Sequence, residues 1–167
     1  EPIERFNSSL KDCKNLSYVI GAPLRCTESR GNFLPPSLVQ AIDQKGKFDL
    51  VIDDGSHQVS HVNKTFQFLY PKIHNTGIYL IEDTHAAYWS SHGGSITHPD
   101  SINNVAKNMI DKLNAEHTKG QVQPDFFTYE TKCMSVYDSI IVFERGNVGA
   151  KRPEEYGGPK SNEVFII

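Results

Sequence analysis

Two short apolar runs, each ending in adjacent acids, constrain this chain more than any other feature. Residues 48–57 read FDLVIDDGSH and residues 77–83 read GIYLIED. A nearly continuous apolar run of this length is typical of a parallel strand buried on both faces. Ligands bind at the carboxyl edge of such sheets, and sequential strands are usually neighbours. We therefore expect Asp54, Glu82 and Asp83 to lie close together at that edge.

Helical patterns alternate with these strands. Ser56 is placed to cap a helix that carries one apolar stripe: Val59, Val62, Phe66 and Leu69. A second helix has apolar residues at helical spacing: Ile102, Val105, Ala106, Met109, Ile110 and Leu113. Residues 132–137 and 139–144 read as two strands joined tightly at Asp138, hence antiparallel. The order predicts an α/β sheet with an antiparallel edge.

The length and composition indicate one globular domain. The chain has 167 residues, of which 38% are hydrophobic, enough for a substantial core. We assign residues 1–146 to the domain and the Gly/Pro-rich residues 147–167 to an extended tail. Strands are expected at 16–20 and 24–27, and a short helix opened by Pro35 and Pro36. The amino terminus has neither an initiator Met nor a signal-peptide pattern, so we expect a processed end or a fragment.

Charge and cysteine content exclude several classes of partner. The net charge of −3 and the pI near 6.2 give no reason to expect nucleic acid or an acidic membrane. No apolar stretch approaches the length of a membrane span. Cys13, Cys26 and Cys133 are widely spaced, without a CxxC pair. Reduced thiols in a cytoplasmic protein are the expected state.

Carboxylates without cysteine predict a hard, oxygen-rich metal site at the strand ends. Mg²⁺ suits such ligands best, with Mn²⁺ and Ca²⁺ as alternatives. His57 follows Asp54 by three positions, at the start of the next helix. A neutral imidazole there would act as general base on a hydroxyl whose acidity the metal has raised.

Other interpretations of these residues stay open. Acids at strand ends often only cap the next helix. His57 and His61 have the i, i+4 spacing of a zinc-binding pair, but no Glu stands between them in the metalloprotease position. Trp89 is expected to be a packing or lid residue over the site, or one that stacks on a sugar face.

Several motifs, in order, resemble one enzyme family. Residues 53–57 (DDGSH), 66–71 (FQFLYP) and 77–85 (GIYLIEDTH) are similar to those of the macrocin/mycinamicin-type sugar O-methyltransferases. So are YW at 88–89, GG at 93–94 and YDSIIVFE at 137–144. The cephalosporin hydroxylase-like proteins are close relatives of that group. The resemblance extends roughly from Gly31 to Gly146.

The resemblance implies both a fold and a reaction. Members are metal-dependent enzymes that use S-adenosylmethionine and have a Rossmann-like class I methyltransferase sheet, mostly parallel with an antiparallel C-terminal hairpin. The expected reaction methylates a hydroxyl of a sugar or glycosylated small molecule. A small-molecule acceptor is thus the expected partner, with no nucleic acid and no membrane, and a homo-oligomer is left open.

The resemblance also assigns residues. It implies that Mg²⁺ is bound by Asp54, Glu82 and Asp83, and that His57 is the catalytic base. The cofactor would contact Glu28, which accepts a hydrogen bond from the adenine amine, and Asp53. The candidate substrate or lid residues are His85, Tyr88 and Trp89.

The sequence departs from the family in its amino-terminal part. Family members carry a glycine-rich loop after their first strand, and no such loop is found here; the segments 20–22 and 29–32 lie too close to the strand at 48–52. We therefore expect the first strands of the sheet to be missing or rebuilt. The favoured function is a methyltransferase whose amino-terminal portion is absent from this sequence. The alternatives are a methyltransferase-derived domain that serves as a binding or structural subunit without the cofactor, and a metal-dependent hydrolase.

Overall fold

The computed structural model describes residues 47–149. The strands are β1 (Phe48–Asp53), β2 (Ile73–Ile81), β3 (Thr131–Tyr137) and β4 (Ile140–Arg145). The α-helices are α1 (Val59–Leu69), α2 (Ile102–Leu113) and α3 (Phe126–Glu130). Short 3-10 helices cover Tyr70–Lys72, Thr84–Tyr88, Ser90–His92 and Ala115–Thr118. The strands expected at 16–20 and 24–27, the helix after Pro35, the residue Glu28 and the tail beyond 149 lie outside the described residues.

The strands form one mixed sheet in the order β1-β2-β4-β3. β1 and β2 are parallel neighbours, whereas β4 is antiparallel to both β2 and β3. The adjacency of the two acid-ended strands and the antiparallel hairpin are therefore confirmed. Among the described residues the sheet has one parallel pair and two antiparallel pairs, because the hairpin supplies half of its strands.

β2 begins before the apolar run at residues 77–83, and its register against β1 shifts. Phe48 pairs with Ile73, but Leu50 pairs with Ile78. Gly77 lies in the segment that loops out between these pairs. A Cβ at Gly77 would lie 2.9 Å from the carbonyl oxygen of Asp49 and 3.0 Å from that of Phe48. Only glycine allows the backbone of β2 to come this close to the backbone of β1. From Leu50 and Ile78 onward the two strands pair regularly, so that they end at the same level.

The helices contribute to a core on one face of the sheet. Phe66 of α1 is at its centre, with its ring centroid 4.8 Å from that of Tyr70 and 4.6 Å from that of Phe143. Aromatic pairs of this kind contribute about 0.5–1.5 kcal/mol beyond the area they bury. Apolar residues of β1, β2 and β4 alternate between this core and a second buried cluster formed by Leu50, Ile78 and Val142. The alternation follows from the two-residue period of strands.

Both long helices match the predicted stripes, with two differences. α1 begins at Val59, because the chain at His57 has φ 54° and cannot continue a right-handed helix. Ser56 is therefore not its N-cap, and Gln58 holds that position. α2 is capped by Ser101, whose side chain accepts from the Asn104 amide. Ile110, expected on the apolar stripe of α2, is 51% exposed. Within residues 47–149 we find no helix that combines the length and the apolar character of a membrane span.

Candidate metal centre

The ends of β1 and β2 form the edge at which the site lies. Asp53 pairs with Ile81 in parallel register. One residue later, the Glu82 amide donates to the Asp53 carbonyl oxygen at 3.0 Å. Both strands therefore end at the same level. The segments that leave them, from Asp54 and from Asp83, start side by side, as expected for the carboxyl edge of a parallel pair.

Asp54, His57 and Asp83 converge at this edge. Each offers one ligand atom, and these atoms all lie within 4.8 Å of one another. His57 Nε2 is 3.5 Å from Asp54 Oδ1 and 3.9 Å from Asp83 Oδ2. The His57 side chain is 23% exposed, against 43% and 49% for the two acids. The cluster is thus open to solvent on its acidic side, and its oxygen donors suit a hard divalent cation.

The backbone is unusual at two residues of the cluster. His57 has φ 54° and Asp83 has φ 51°, both in the left-handed region that non-glycine residues seldom adopt. Such conformations cost about 1–3 kcal/mol each and tend to occur at functional sites. Here they turn the chain sharply after each strand, so that His57 and Asp83 face each other across the edge.

Asp53 lies apart from the cluster, on the core side of β1. Its side chain is buried, and Tyr79 of β2 donates a hydrogen bond to its Oδ2 at 2.8 Å. Burial raises the pKa of Asp53 above its ordinary value, although the hydrogen bond from Tyr79 acts in the opposite direction. Burial, followed by the neighbouring Asp53 carboxylate, raises the pKa of Tyr79 well above its usual range. The pair therefore ties β1 to β2 one residue before the cluster.

Glu82 is not among the atoms that converge, although it precedes Asp83 directly. Asp83 has φ 51°, so the chain does not continue from Glu82 as an extended strand, and the two adjacent acids do not reach one point. His61 is not part of the cluster either, so the geometry gives no support to the alternative of a zinc-binding pair with His57. The His61 Nδ1 instead lies 2.6 Å from the Ser56 hydroxyl. Burial, and then the charge of Lys64, lower the pKa of His61.

The candidate substrate residues lie in the segment that follows Asp83. His85 Nδ1 is 3.8 Å from Asp83 Oδ1. The His85 ring also contacts Trp89, with centroids 4.7 Å apart at 71°. Tyr88 and Trp89 are each 49% exposed. His85 therefore lies between Asp83 and Trp89, and the roles of His85, Tyr88 and Trp89 toward a substrate stay predictions.

Ser139, in the β3–β4 turn, is a neighbour of the site that sequence reasoning missed. Its hydroxyl lies 2.9 Å from His85 Nδ1, and its carbonyl oxygen accepts from the Thr84 amide at 3.0 Å. No spacing rule links positions 54 residues apart. The only signal was its inclusion in the YDSIIVFE motif, which gave it no role.

Comparison with curated proteins identifies related enzymes, whereas no family model matches. The chain is 32% identical over 114 residues to the 8-demethyl-8-(2-methoxy-α-L-rhamnosyl)-tetracenomycin-C 3′-O-methyltransferase of Streptomyces olivaceus. It is 30% identical over 118 residues to the demethylmacrocin O-methyltransferase of Streptomyces fradiae. Over 107 residues it is 32% identical to the mycinamicin VI 2″-O-methyltransferase of Micromonospora griseorubida. These matches cover 65%, 67% and 60% of the chain but only 29%, 30% and 27% of the respective relatives.

Solved structures of related methyltransferases also match this chain over part of their length. The MycE methyltransferase of the mycinamycin biosynthetic pathway, in complex with Mg and SAH, superposes with a TM-score of 0.61 and 27% sequence identity. The match covers 72% of this chain and 34% of that chain. A second structure of MycE, which also contains mycinamycin VI, gives the same TM-score of 0.61 at 27% identity, over 33% of that chain.

The family resemblance predicted from the motifs and the class I methyltransferase fold are confirmed by these similarities. The chain spans about a third of the length of the relatives it matches. We conclude that, over about a third of their length, it is related to the macrocin/mycinamicin-type sugar O-methyltransferases.

Proposed function

We propose that this chain carries the metal- and acceptor-binding portion of an S-adenosylmethionine- and Mg²⁺-dependent O-methyltransferase. Its acceptor would be a hydroxyl of a sugar or glycosylated small molecule. The observation that carries the proposal is the convergence of Asp54, His57 and Asp83 at the carboxyl edge of two parallel strands. The named relatives methylate glycosylated compounds, and the matching MycE structures contain Mg and SAH. Both facts support the proposal of the same reaction here.

The donor set fits Mg²⁺. Asp54 and Asp83 present carboxylate oxygens that are about half exposed, so an ion there would keep water or accept hydroxyl oxygens. Glu82 is adjacent in sequence and is proposed as a further ligand. When bound, Mg²⁺ would lower the pKa of an acceptor hydroxyl and S-adenosylmethionine would supply the methyl group.

His57 is proposed as the base. Its Nε2 faces the space between Asp54 and Asp83 and lies within 4 Å of an oxygen of each. A hydroxyl held there would transfer its proton to Nε2, and its oxygen would attack the methyl carbon as the bond to sulfur breaks. The two carboxylates would stabilise the imidazolium that results. Holding base and hydroxyl together accounts for most of the expected rate gain.

The cofactor contacts are proposals that concern Glu28 and Asp53. Glu28 lies outside the described residues. Asp53 uses its buried carboxylate to bind Tyr79, so we propose that it serves the cofactor side chiefly by holding the Asp53–Gly55 turn. The cytoplasmic localisation and a homo-oligomer stay predictions.

Titration calorimetry tests the metal and cofactor assignments on the 167-residue chain. We expect Mg²⁺ to bind, and Asp54→Ala to weaken that binding by about 100-fold. Asp111→Ala, an exposed acid on α2, is the matched control and should bind Mg²⁺ as the wild type does. Titration with S-adenosylhomocysteine, with and without Mg²⁺, then reports on the cofactor. Chains that bind Mg²⁺ but not S-adenosylhomocysteine would fit either a methyltransferase whose cofactor portion is absent from this sequence or a binding subunit, and hydrolytic turnover would select the hydrolase.

Measuring both methyl transfer and Mg²⁺ affinity shows whether His57 is the catalytic base or a metal ligand. His57→Ala should lower methyl transfer to a rhamnoside by about 10²–10⁴-fold if the residue is the base. Its Mg²⁺ affinity should then change little. A parallel loss of Mg²⁺ affinity would mean that the imidazole is a metal ligand, and the assignment of the base would be wrong.

A further inference from the structure

A half-exposed indole lies one side chain away from the acidic cluster. Trp89 is the only tryptophan of the sequence and is 49% exposed. Its ring is separated from the Asp83 carboxylate by the imidazole of His85, which contacts both. A large aromatic side chain left half open beside a polar site is unusual for a residue that only fills the core.

The indole is held from two sides. His85 packs edge-on against it, and the His92 ring contacts it at a tilt of 60° with a centroid distance of 5.6 Å. The Gly94 amide donates to the Trp89 carbonyl oxygen at 2.9 Å. Gly94 itself runs so close to the preceding 3-10 helix that a Cβ there would lie 2.1 Å from the Ala87 carbonyl oxygen. The segment 84–94 is thus a closed loop that presents Trp89 in a defined position.

The orientation of His85 is set from a distant part of the chain. The Ser139 hydroxyl hydrogen-bonds His85 Nδ1 at 2.9 Å, and the Ser139 carbonyl oxygen accepts from the Thr84 amide at 3.0 Å. Ser139 adopts φ 60° in the tight β3–β4 turn, which brings both of its groups toward the loop. The turn therefore anchors the loop immediately after Asp83 and fixes the imidazole on which Trp89 rests.

We propose that Trp89 is the wall against which the sugar ring of the acceptor packs, and that Ser139, through His85, is the positioning residue for this wall. The proposal rests on the proposed function and adds a subsite to it. A sugar whose hydroxyls face the Asp54–Asp83 side exposes its C–H groups beyond the metal. Burying these groups on an indole removes apolar surface from water on both partners.

The emission of the single tryptophan tests the subsite directly. We expect methyl α-L-rhamnopyranoside, titrated into the Mg²⁺-loaded chain, to change the emission of Trp89 saturably. Mannitol at the same concentrations should not do so. A double variant, Trp89→Phe with Phe126→Trp, keeps one tryptophan on the exposed position 126 of α3. It should report no saturable change, because its tryptophan lies outside the loop.

Affinity and loop order test the two parts of the proposal separately. By calorimetry, Trp89→Ala should bind the rhamnoside about tenfold more weakly with unchanged Mg²⁺ affinity. Ser139→Ala should lower the emission anisotropy of Trp89, whereas Ser135→Ala in the same hairpin should not. Wild-type anisotropy in Ser139→Ala would refute the positioning role.

The outcomes distinguish this proposal from the proposed function. A chain that binds Mg²⁺ and, by calorimetry, the rhamnoside, but whose Trp89 emission does not change with the rhamnoside, would overturn the subsite alone. A chain that binds no Mg²⁺ would overturn the proposed function, and the subsite would fall with it. Circular dichroism of each variant establishes that the fold is intact.

Discussion

At the scale of single residues, the site depends on backbone positions that ordinary side chains tolerate poorly. His57 and Asp83 occupy left-handed conformations next to the strand ends. Gly94 approaches the Ala87 carbonyl more closely than any Cβ allows. His57 and Asp83 turn the chain where it leaves the sheet, and Gly94 lies in the loop that follows β2. The geometry of the site therefore depends on a few local backbone conformations.

Gly94→Ala should therefore disturb the loop around Trp89. The added methyl group must push the chain away from Ala87, which we expect to cost about 1–3 kcal/mol of unfolding free energy. Urea unfolding followed by circular dichroism measures the loss, and the emission maximum of Trp89 should shift to longer wavelength. Gly93→Asn is the matched control, because Gly93 has φ 71° with nothing within 4 Å of its Cβ position, and asparagine accepts that conformation. Equal stability of the two variants would contradict this account.

At the scale of elements, the short helix α3 shows how side chains stabilise a segment with little propensity of its own. Asp125 is its N-cap, accepting from the Phe127 and Thr128 amides, and the Thr128 hydroxyl accepts in turn from the Asp125 amide. Lys112 of α2 pairs with Asp125 at 2.9 Å. Burial opposes the charge of Asp125, but the hydrogen bond with Lys112 and those with the backbone outweigh it and lower the pKa of this carboxyl.

The lowered pKa of Asp125 predicts a pH-dependent contribution to stability. A depressed folded-state pKa stabilises the fold above the unfolded value of 3.8 and ceases to do so as pH falls through the folded value. Asp125→Ala should lose about 1 kcal/mol at pH 7, mainly from the cap. The difference from wild type should shrink below about pH 4. Thermal unfolding from pH 3 to pH 7 checks this.

Asp125→Asn separates the charge from the cap. Asparagine is a good N-cap but cannot form the ion pair with Lys112. We expect it to lose less than Asp125→Ala at pH 7, because the ion pair is largely exposed and contributes little. A pH-independent difference between wild type and Asp125→Ala would argue against the capping carboxylate.

At the scale of the whole molecule, one buried arginine joins parts of the chain that are far apart in sequence. Arg145, at the end of β4, has a side chain that is 3% exposed. It donates to the Ile73 carbonyl oxygen at the start of β2 and to Glu130 at the end of α3, each at 2.7 Å. Its guanidinium also lies over the Phe126 ring at 4.8 Å. This residue thus holds the hairpin and α3 against the start of β2, at the end of the sheet opposite the metal cluster.

Arg145→Met should destabilise the chain by about 3 kcal/mol, because the Glu130 carboxylate and the Ile73 carbonyl oxygen would lose their hydrogen-bond donor. Lys132→Met, a substitution of an exposed cation on β3, should cost little. Because Arg145 is remote from the cluster, the Mg²⁺ affinity of folded Arg145→Met should equal that of the wild type. Urea unfolding and calorimetry measure the two quantities, and a large loss of Mg²⁺ affinity would mean that the hairpin controls the site.

The sequence alone predicted the helices and strands whose apolar residues repeat at a regular spacing. The stripe of α2, the acid-ended strands β1 and β2 and the β3–β4 hairpin were predicted because burial on a helix or strand imposes a period that can be read locally. The convergence of Asp54 and Asp83 followed from parallel neighbours ending at a common edge. The start of α1, the bulge at Gly77 and the short helix α3 were not predicted, because each depends on contacts with another segment.

The sequence by itself determined that the chain would form an α/β sheet with acids at one edge, since apolar periodicity and strand-end acids are local properties. Tertiary structure decided which other groups join or leave this cluster. It separates Asp53, buried against Tyr79, from Asp54 in the open cluster. It also brings Ser139 to His85 across 54 residues. The physical reason is that side-chain direction and long-range hydrogen bonds depend on register and turn conformation, which no local pattern encodes.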